Sequence, residues 1–375
     1  MRSAFVCLTA ILGSHALVPP QRKITPRTGG LGAYSELRAF AGVAAAAKLG
    51  RREPCISLAV AAALASIKAL PRESAIYAWG WTAVLPLSLA LTLIGREPSG
   101  WGDGAATRRV GAAFAAGAAS SVAGAFVAAK LLRGTLGAAA DQGAAALAAS
   151  YVGGSANFFV VAEAVGLRAG IGLLSALATA DVVVMAGYIV LLQGLSARYG
   201  APRRPVEQGA ASEPTTGSPL APALLGALCV AAAAPLCPSL RTAAIALGAV
   251  ACRRLPASRP AARNLSSWCL AAFYACLGAC SPISAVVKAG APALGLAVAA
   301  LAGHALLLAA CSARGPWSID EALVASNACV GGPVTAAAFA QATGREDLVV
   351  PAVVWGTVGY AGGTGLGMAL FRVLC

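Results

Sequence analysis

The sequence contains few charged residues and almost no histidine. Of its 375 residues, 11% are charged and two are histidines, whereas 58% are hydrophobic. Soluble domains carry roughly a quarter of their residues as charges, so this composition excludes an ordinary soluble domain. The hydrophobic residues form runs of membrane-spanning length between short basic loops. The sequence therefore predicts an all-α polytopic membrane protein.

Residue patterns of catalytic and metal sites are also missing. The eleven cysteines form no Cys-x-x-Cys pair and have no histidine partners, so neither zinc nor a disulfide framework is expected. There is no nucleophile elbow and no Walker loop. We therefore expect no enzyme activity, no cofactor and no metal. His304 lies in a predicted span, where it could relay protons or be satisfied by a neighbouring helix.

Acidic residues are half as numerous as basic ones, with 14 against 28, which gives a net charge of +14. The basic residues are single or paired, as in Arg108-Arg109 and Arg253-Arg254, and lie between apolar runs. Charges that set membrane topology have this distribution, whereas a nucleic-acid interface gathers them into a stripe. The expected partner is therefore the lipid membrane, and nucleic acid is not expected.

Two carboxylates, Glu163 and Asp181, are the only acids inside apolar runs. A charged side chain costs about 3 kcal/mol or more within a membrane, so such residues usually have a functional or a pairing role. Either carboxylate could couple the protein to Na⁺ or H⁺. The alternative is a structural hydrogen bond between helices.

One stretch of the chain occurs twice. Residues Val152–Gly166 read VGGSANFFVVAEAVG, and residues Val330–Gly344 read VGGPVTAAAFAQATG, at an offset of 178 residues without a gap. The two copies share the Gly-Gly pair, a small polar residue after it, a Glu or Gln, and the closing Gly. This agreement indicates an internal duplication.

Each copy is a Gly-Gly break with apolar helical sequence on both sides. Transporters with internal repeats place such broken helices at matching positions, where helix ends and freed backbone groups bind a solute. The alternative is that the glycines only allow close helix packing. The candidate solute-binding residues are Gly153, Gly154, Ser155, Asn157, Asn327, Gly331, Gly332, Pro333, Thr335 and Gln341.

Three blocks of the sequence resemble a known family. SYVGGSANFFVVAEAVG, SNACVGGPVTAAAFAQATG and LVVPAVVWGTVGYAGGTGLG are similar to the signature blocks of the YjcL-like family, and the resemblance runs from about Leu58 to the C-terminus. These are membrane proteins of bacteria and of plant and algal plastids, grouped by fold with cation/proton antiporters and bile-acid/anion symporters. The resemblance implies two inverted repeats with crossing discontinuous helices and about 10–12 membrane segments. It assigns no substrate.

The N-terminus predicts a two-part leader. Residues 1–16 read as a signal peptide, and residues 17–37 are basic and acid-poor, as in a transit peptide. A plastid (chloroplast) membrane is therefore expected, with the endomembrane system or the plasma membrane as the alternative. The rest divides into an N-terminal repeat (38–193), a polar linker (194–219) and a C-terminal repeat (220–375).

These observations favour a secondary transporter that moves a small solute, coupled to Na⁺ or H⁺. The antiporters and symporters named above suggest that the solute is an organic anion. The protein could also form a homodimer. The alternative is a non-transporting membrane scaffold or assembly factor of the plastid membrane. Neutralising Glu163 or Asp181 would impair the transporter and leave the scaffold intact.

Overall fold

The computed structural model describes residues 30–51, 54–71, 74–95, 104–167, 173–201, 220–233, 236, 244–245, 247–249, 251–252, 259–280 and 290–375. These residues form helices and turns, and no strand occurs among them. The prediction of an all-α protein is confirmed. The predicted signal peptide (1–16) lies outside the described residues.

The first half of the chain contains seven described helices. They are α1 (Gly30–Leu49), α2 (Pro54–Ser66), α3 (Ala75–Ile94, with a π-helical turn at Gly80–Val84), α4 (Gly104–Leu136), α5 (Ala138–Gly153), α6 (Ser155–Ala164) and α7 (Leu173–Tyr199).

The second half contains six described helices. They are α8 (Leu220–Ala233), α9 (Arg259–Cys280), α10 (Ala291–Ser312), α11 (Ile319–Val330), α12 (Gly332–Ala342) and α13 (Val349–Leu374). Between α8 and α9, the residues 244–245, 247–249 and 251–252 are also helical.

Four described helices are long and apolar enough to cross a membrane by themselves. They are Ala75–Ile94, Gly104–Leu136, Ala176–Tyr199 and Ala291–Ser312. Two helices extend into segments that the sequence predicted as leader and linker. Helix α1 begins within the predicted leader segment 17–37, and α7 continues to Tyr199, six residues into the predicted linker 194–219. Residues 194–199 remain helical because the prolines of the linker come only after them.

The duplication is present in the backbone as well as in the sequence. Gly154 and Gly332 have φ angles of 77° and 83°, and Gly166 and Gly344 have φ angles of 75° and 74°. Both pairs are separated by the offset of 178 residues. Residues other than glycine rarely adopt this left-handed region, so each pair breaks or ends a helix at the same repeat position. The order α4–α5–α6–α7 thus recurs as α10–α11–α12–α13.

Close packing of α13 holds the first break in place. Gly356, Gly359, Gly363 and Gly367 lie along one side of α13. A Cβ atom at Gly363 would lie 2.9 Å from the carbonyl oxygen of Ala149, and one at Gly367 would lie 2.7 Å from that of Ala145. Small residues at this spacing allow helix backbones to touch within a membrane. Helix α13 therefore lies directly against α5.

Candidate functional site

A buried carboxylate lies at the first helix break. Asp181, on α7, is 1% exposed. The Ser150 hydroxyl lies 3.1 and 3.0 Å from its two oxygens, and the Ser155 hydroxyl donates to Oδ2 at 3.1 Å. Ser150 precedes the break and Ser155 follows it. Three helices therefore bring four oxygen atoms together at this point.

A helix N-terminus and two hydroxyl groups lie beside this carboxylate. Ser155 is the first residue of α6, and the N-terminus of a helix carries a partial positive charge. No Lys, Arg or His among the described residues forms an ion pair with Asp181. The carboxylate and hydroxyl oxygens could hold a Na⁺ ion, or the carboxyl group could take up a proton.

Asn157 connects the first break to α13. Its Nδ2 donates to the carbonyl oxygen of Gly153 at 2.7 Å and to that of Tyr360 at 3.3 Å, and its Oδ1 accepts a hydrogen bond from Thr364 at 2.6 Å. The amide is therefore engaged on both its donor and acceptor sides. Its contacts are those of a structural link between α6 and α13.

The second break contains an amide, Asn327, whose hydrogen bonding differs from that of Asn157. Asn327, on α11, is fully buried, and neither Oδ1 nor Nδ2 has a hydrogen-bond partner among the described residues. A Cβ atom at Gly331 would lie 3.0 Å from this Oδ1, so the amide lies against the break. Thr335 donates to the carbonyl oxygen of Gly332 at 3.1 Å, and Pro333 packs on Gly356 of α13.

Tyr360 of α13 touches both breaks. A Cβ atom at Gly154 would lie 2.9 Å from Cε1 of Tyr360, and one at Gly332 would lie 2.7 Å from the same atom. The structure therefore brings the two copies of the repeat to a single aromatic ring. Tyr360 is not among the site residues predicted from the sequence, because nothing in its local sequence shows which helices it contacts.

Two candidates lie away from the glycines of the breaks. Glu163 is exposed near the end of α6, eight residues beyond Ser155, which corresponds to about 12 Å along a helix. Gln341 lies near the end of α12, where it accepts a hydrogen bond from Thr92 at 3.0 Å. Of the two carboxylates selected from the sequence, the structure therefore places only Asp181 at a break.

His304 is fully buried and has partners on both ring nitrogens. Its Nδ1 lies 2.8 Å from the Ser121 hydroxyl, and its Nε2 lies 2.9 Å from that of Ser326. Ser326 is in turn 2.7 Å from the hydroxyl of Tyr188. Neighbouring side chains thus satisfy the histidine, and this network joins α4, α7, α10 and α11. Its member Ser326 is adjacent to Asn327 in the sequence.

An ionic cluster at the start of α11 was not selected from the sequence. Asp320 and Glu321 are 4% and 3% exposed. Glu321 pairs with Arg109 at 2.8 Å, and Asp320 pairs with Arg345, which also pairs with Asp347 at 2.7 Å. Hydrogen bonding to Asp347 and the charges of both aspartates raise the pKa of Arg345 above its ordinary value. These residues line an open cavity of about 530 Å³.

The helical structure, with four apolar helices of membrane-spanning length and a buried polar group at a helix break, is that of an all-α integral membrane protein. The family described as "Protein of unknown function (DUF819)" matches residues 54–218 and 225–374. The chain belongs to this family. This confirms the relationship that the three blocks around the breaks predicted.

One curated relative matches over a short stretch. The "Uncharacterized membrane protein YjcL" of Bacillus subtilis (strain 168) is 51% identical over 49 residues, which is 13% of this chain and 12% of the Bacillus protein. The chain thus aligns with much less than two thirds of this relative. No solved structure matches the chain.

Proposed function

We propose that this protein is a secondary transporter that binds a small solute between its two helix breaks and couples its movement to Na⁺ or H⁺ at Asp181. The observation that carries the proposal is the buried carboxylate beside the first break, held by Ser150 and Ser155. Intramembrane carboxylates of this kind mark ion pathways.

The arrangement around Tyr360 supports the same proposal. Its Cε1 atom lies close to both Gly154 and Gly332, so one side chain adjoins the two breaks. Movement of one bundle against the other would uncover the breaks on alternate sides, as in carriers with crossing broken helices. We include in the proposal that the two halves are inverted and that the protein moves its solute without covalent chemistry.

The substitution Asp181→Asn tests the coupling role. Thermal stability of the purified protein in detergent is measured over a range of Na⁺ concentrations and of pH. A cation that binds only the folded protein stabilises it by mass action, by about 1.4 kcal/mol for each tenfold increase above its Kd. We expect a response to Na⁺ or to pH in the parent and its loss in Asp181→Asn.

Glu163→Gln is the matched control. Glu163 is the other carboxylate within an apolar run of the first half of the chain, and it is exposed. This variant is expected to keep the parent's response. A parent that responds to neither cation, or an Asp181→Asn variant that still responds, would contradict the proposal and favour a membrane scaffold.

We also propose a plastid membrane as the location. Support comes from the short apolar run and the basic, acid-poor segment within residues 1–37. A fluorescent protein fused to these residues in an alga with complex plastids is expected to reach the plastid. Retention of the fusion in the endomembrane system would show instead that the segment acts only as a signal peptide.

A further inference from the structure

The two breaks differ in their electrostatics. At the first, the carboxylate of Asp181 already faces the N-terminus of α6 through Ser155. The residue at the matching repeat position is Gly359, which has no side chain. Among the described residues, no carboxylate forms a hydrogen bond to the first turn of α12. The partial positive charge at the start of α12 is therefore not neutralised.

The unpartnered amide of Asn327 lies at this second break. An unsatisfied buried polar group destabilises a protein, and native structures contain few of them. The matching residue of the first repeat is Ala149, which is also fully buried. A break of this type can therefore pack with alanine at that position, so the packing itself does not require an amide.

The chemistry of the amide indicates which group it would bind. Asn327 offers one donor group, Nδ2, and one acceptor, Oδ1. A carboxylate at the start of α12 would accept a hydrogen bond from Nδ2 and be stabilised by the helix N-terminus. A hydroxyl or ammonium group on the neighbouring carbon would donate to Oδ1. Together these features describe a 2-hydroxy or 2-amino carboxylate.

We propose that the second break, formed by Asn327 and the N-terminus of α12, binds the carboxylate end of a 2-hydroxy or 2-amino acid. Tyr360, which lies over Gly332, must move aside to admit it. This inference rests on the proposed function, because it names the substrate class of that transporter. The first break would then hold the cation and the second the anionic group.

Four small probes test the substrate class. Lactate, alanine and propionate share a three-carbon skeleton and carry a hydroxyl, an ammonium or a hydrogen at C2, whereas lactamide lacks the carboxylate. Thermal stability of the full-length protein is measured against each. We expect lactate or alanine to stabilise it, propionate to bind about tenfold more weakly because it loses one hydrogen bond, and lactamide to have no effect. Comparing lactate with alanine distinguishes the two acid types.

The variant Asn327→Ala tests the site itself. It is expected to lose the response to lactate or alanine and to melt at the same or a higher temperature than the parent, because it removes an unsatisfied amide. Asn157→Ala is the matched control. It is expected to melt at a lower temperature, because Asn157 holds α13.

Several results would overturn the inference. They are the absence of any probe response in the parent, equal binding of propionate, an unchanged response in Asn327→Ala, and a lower melting temperature or a failure to fold of that variant. The cation response that depends on Asp181 is measured separately. Its persistence with no probe response would overturn the substrate class alone, whereas its absence would count against the transporter.

Discussion

Gly359→Ala is expected to lower the free energy of unfolding by about 3 kcal/mol, the upper end of the usual range for overpacking. The added methyl group would overlap the carbonyl oxygen of Val152 and lie 3.0 Å from Cζ of Phe114. Because Val152 contributes backbone, rotation of a side chain cannot relieve that overlap. The measurement is chemical unfolding in mixed micelles, with parent and variant compared at equal detergent concentration.

Gly362→Ala on the same helix is the control. No atom lies within 4 Å of the Cβ position at Gly362, so alanine meets open space there. Replacing a helical glycine by alanine stabilises a helix by roughly 0.5–1 kcal/mol. If Gly359→Ala were as stable as Gly362→Ala, then α13 would not pack against the first break as closely as described.

Arg345→Met is expected to destabilise the protein by about 3–5 kcal/mol, as does removal of one partner from a buried ion pair. Asp320 is 5% exposed in its side chain and pairs with Arg345, whose side chain is 19% exposed. Methionine would retain most of the apolar side chain and remove the charge. Asp320 would then keep the backbone N–H of Ala201, at 3.0 Å, and would lose its cation.

Asp347→Asn separates the buried pair from the exposed one. Asp347 also pairs with Arg345, but its side chain is 55% exposed, and exposed pairs contribute about 0–1 kcal/mol. We expect this variant to unfold at nearly the same denaturant concentration as the parent. A larger loss for Asp347→Asn than for Arg345→Met would contradict the assignment of the stability to Asp320.

The positions of the helix breaks could be predicted from the sequence, because the signal is local. Two glycine pairs at one offset require the same unusual backbone angle, and the structure shows it at Gly154 and Gly332. Asp181 could be selected for a similar reason, since a single acid within a long apolar run is costly. The all-α class followed from the composition and the apolar runs, and the family followed from the three blocks around the breaks.

Contacts between distant elements could not be predicted in this way. Tyr360 contacts glycines that lie far from it in sequence, so only the packing of α13 identifies it. Asp320 and Glu321 follow Ser318 at the start of α11, where Ser318 and Glu321 form a capping box, a pattern typical of an ordinary helix start. Their burial depends on Arg109 and Arg345, which come from other parts of the chain.

Glu163 and Asp181 were both selected because they lie within apolar runs, but the structure places them differently. Both interrupt hydrophobic sequence, but α6 has only ten residues and Glu163 lies near its exposed end. Asp181 lies within the 27 residues of α7 and faces other helices. Glu163 is therefore exposed beyond the break, whereas Asp181 is buried beside it.

We propose that the two breaks form one centre that opens to alternate sides of the membrane. Labelling of Tyr360→Cys with a membrane-impermeant thiol reagent tests it most directly, in sealed right-side-out and inside-out vesicles, after subtraction of labelling in the parent. We expect labelling from both sides, in a ratio that changes with Na⁺ or pH and becomes fixed when Asp181→Asn is added. Labelling from one side only, or from neither, whatever the cation, would contradict it.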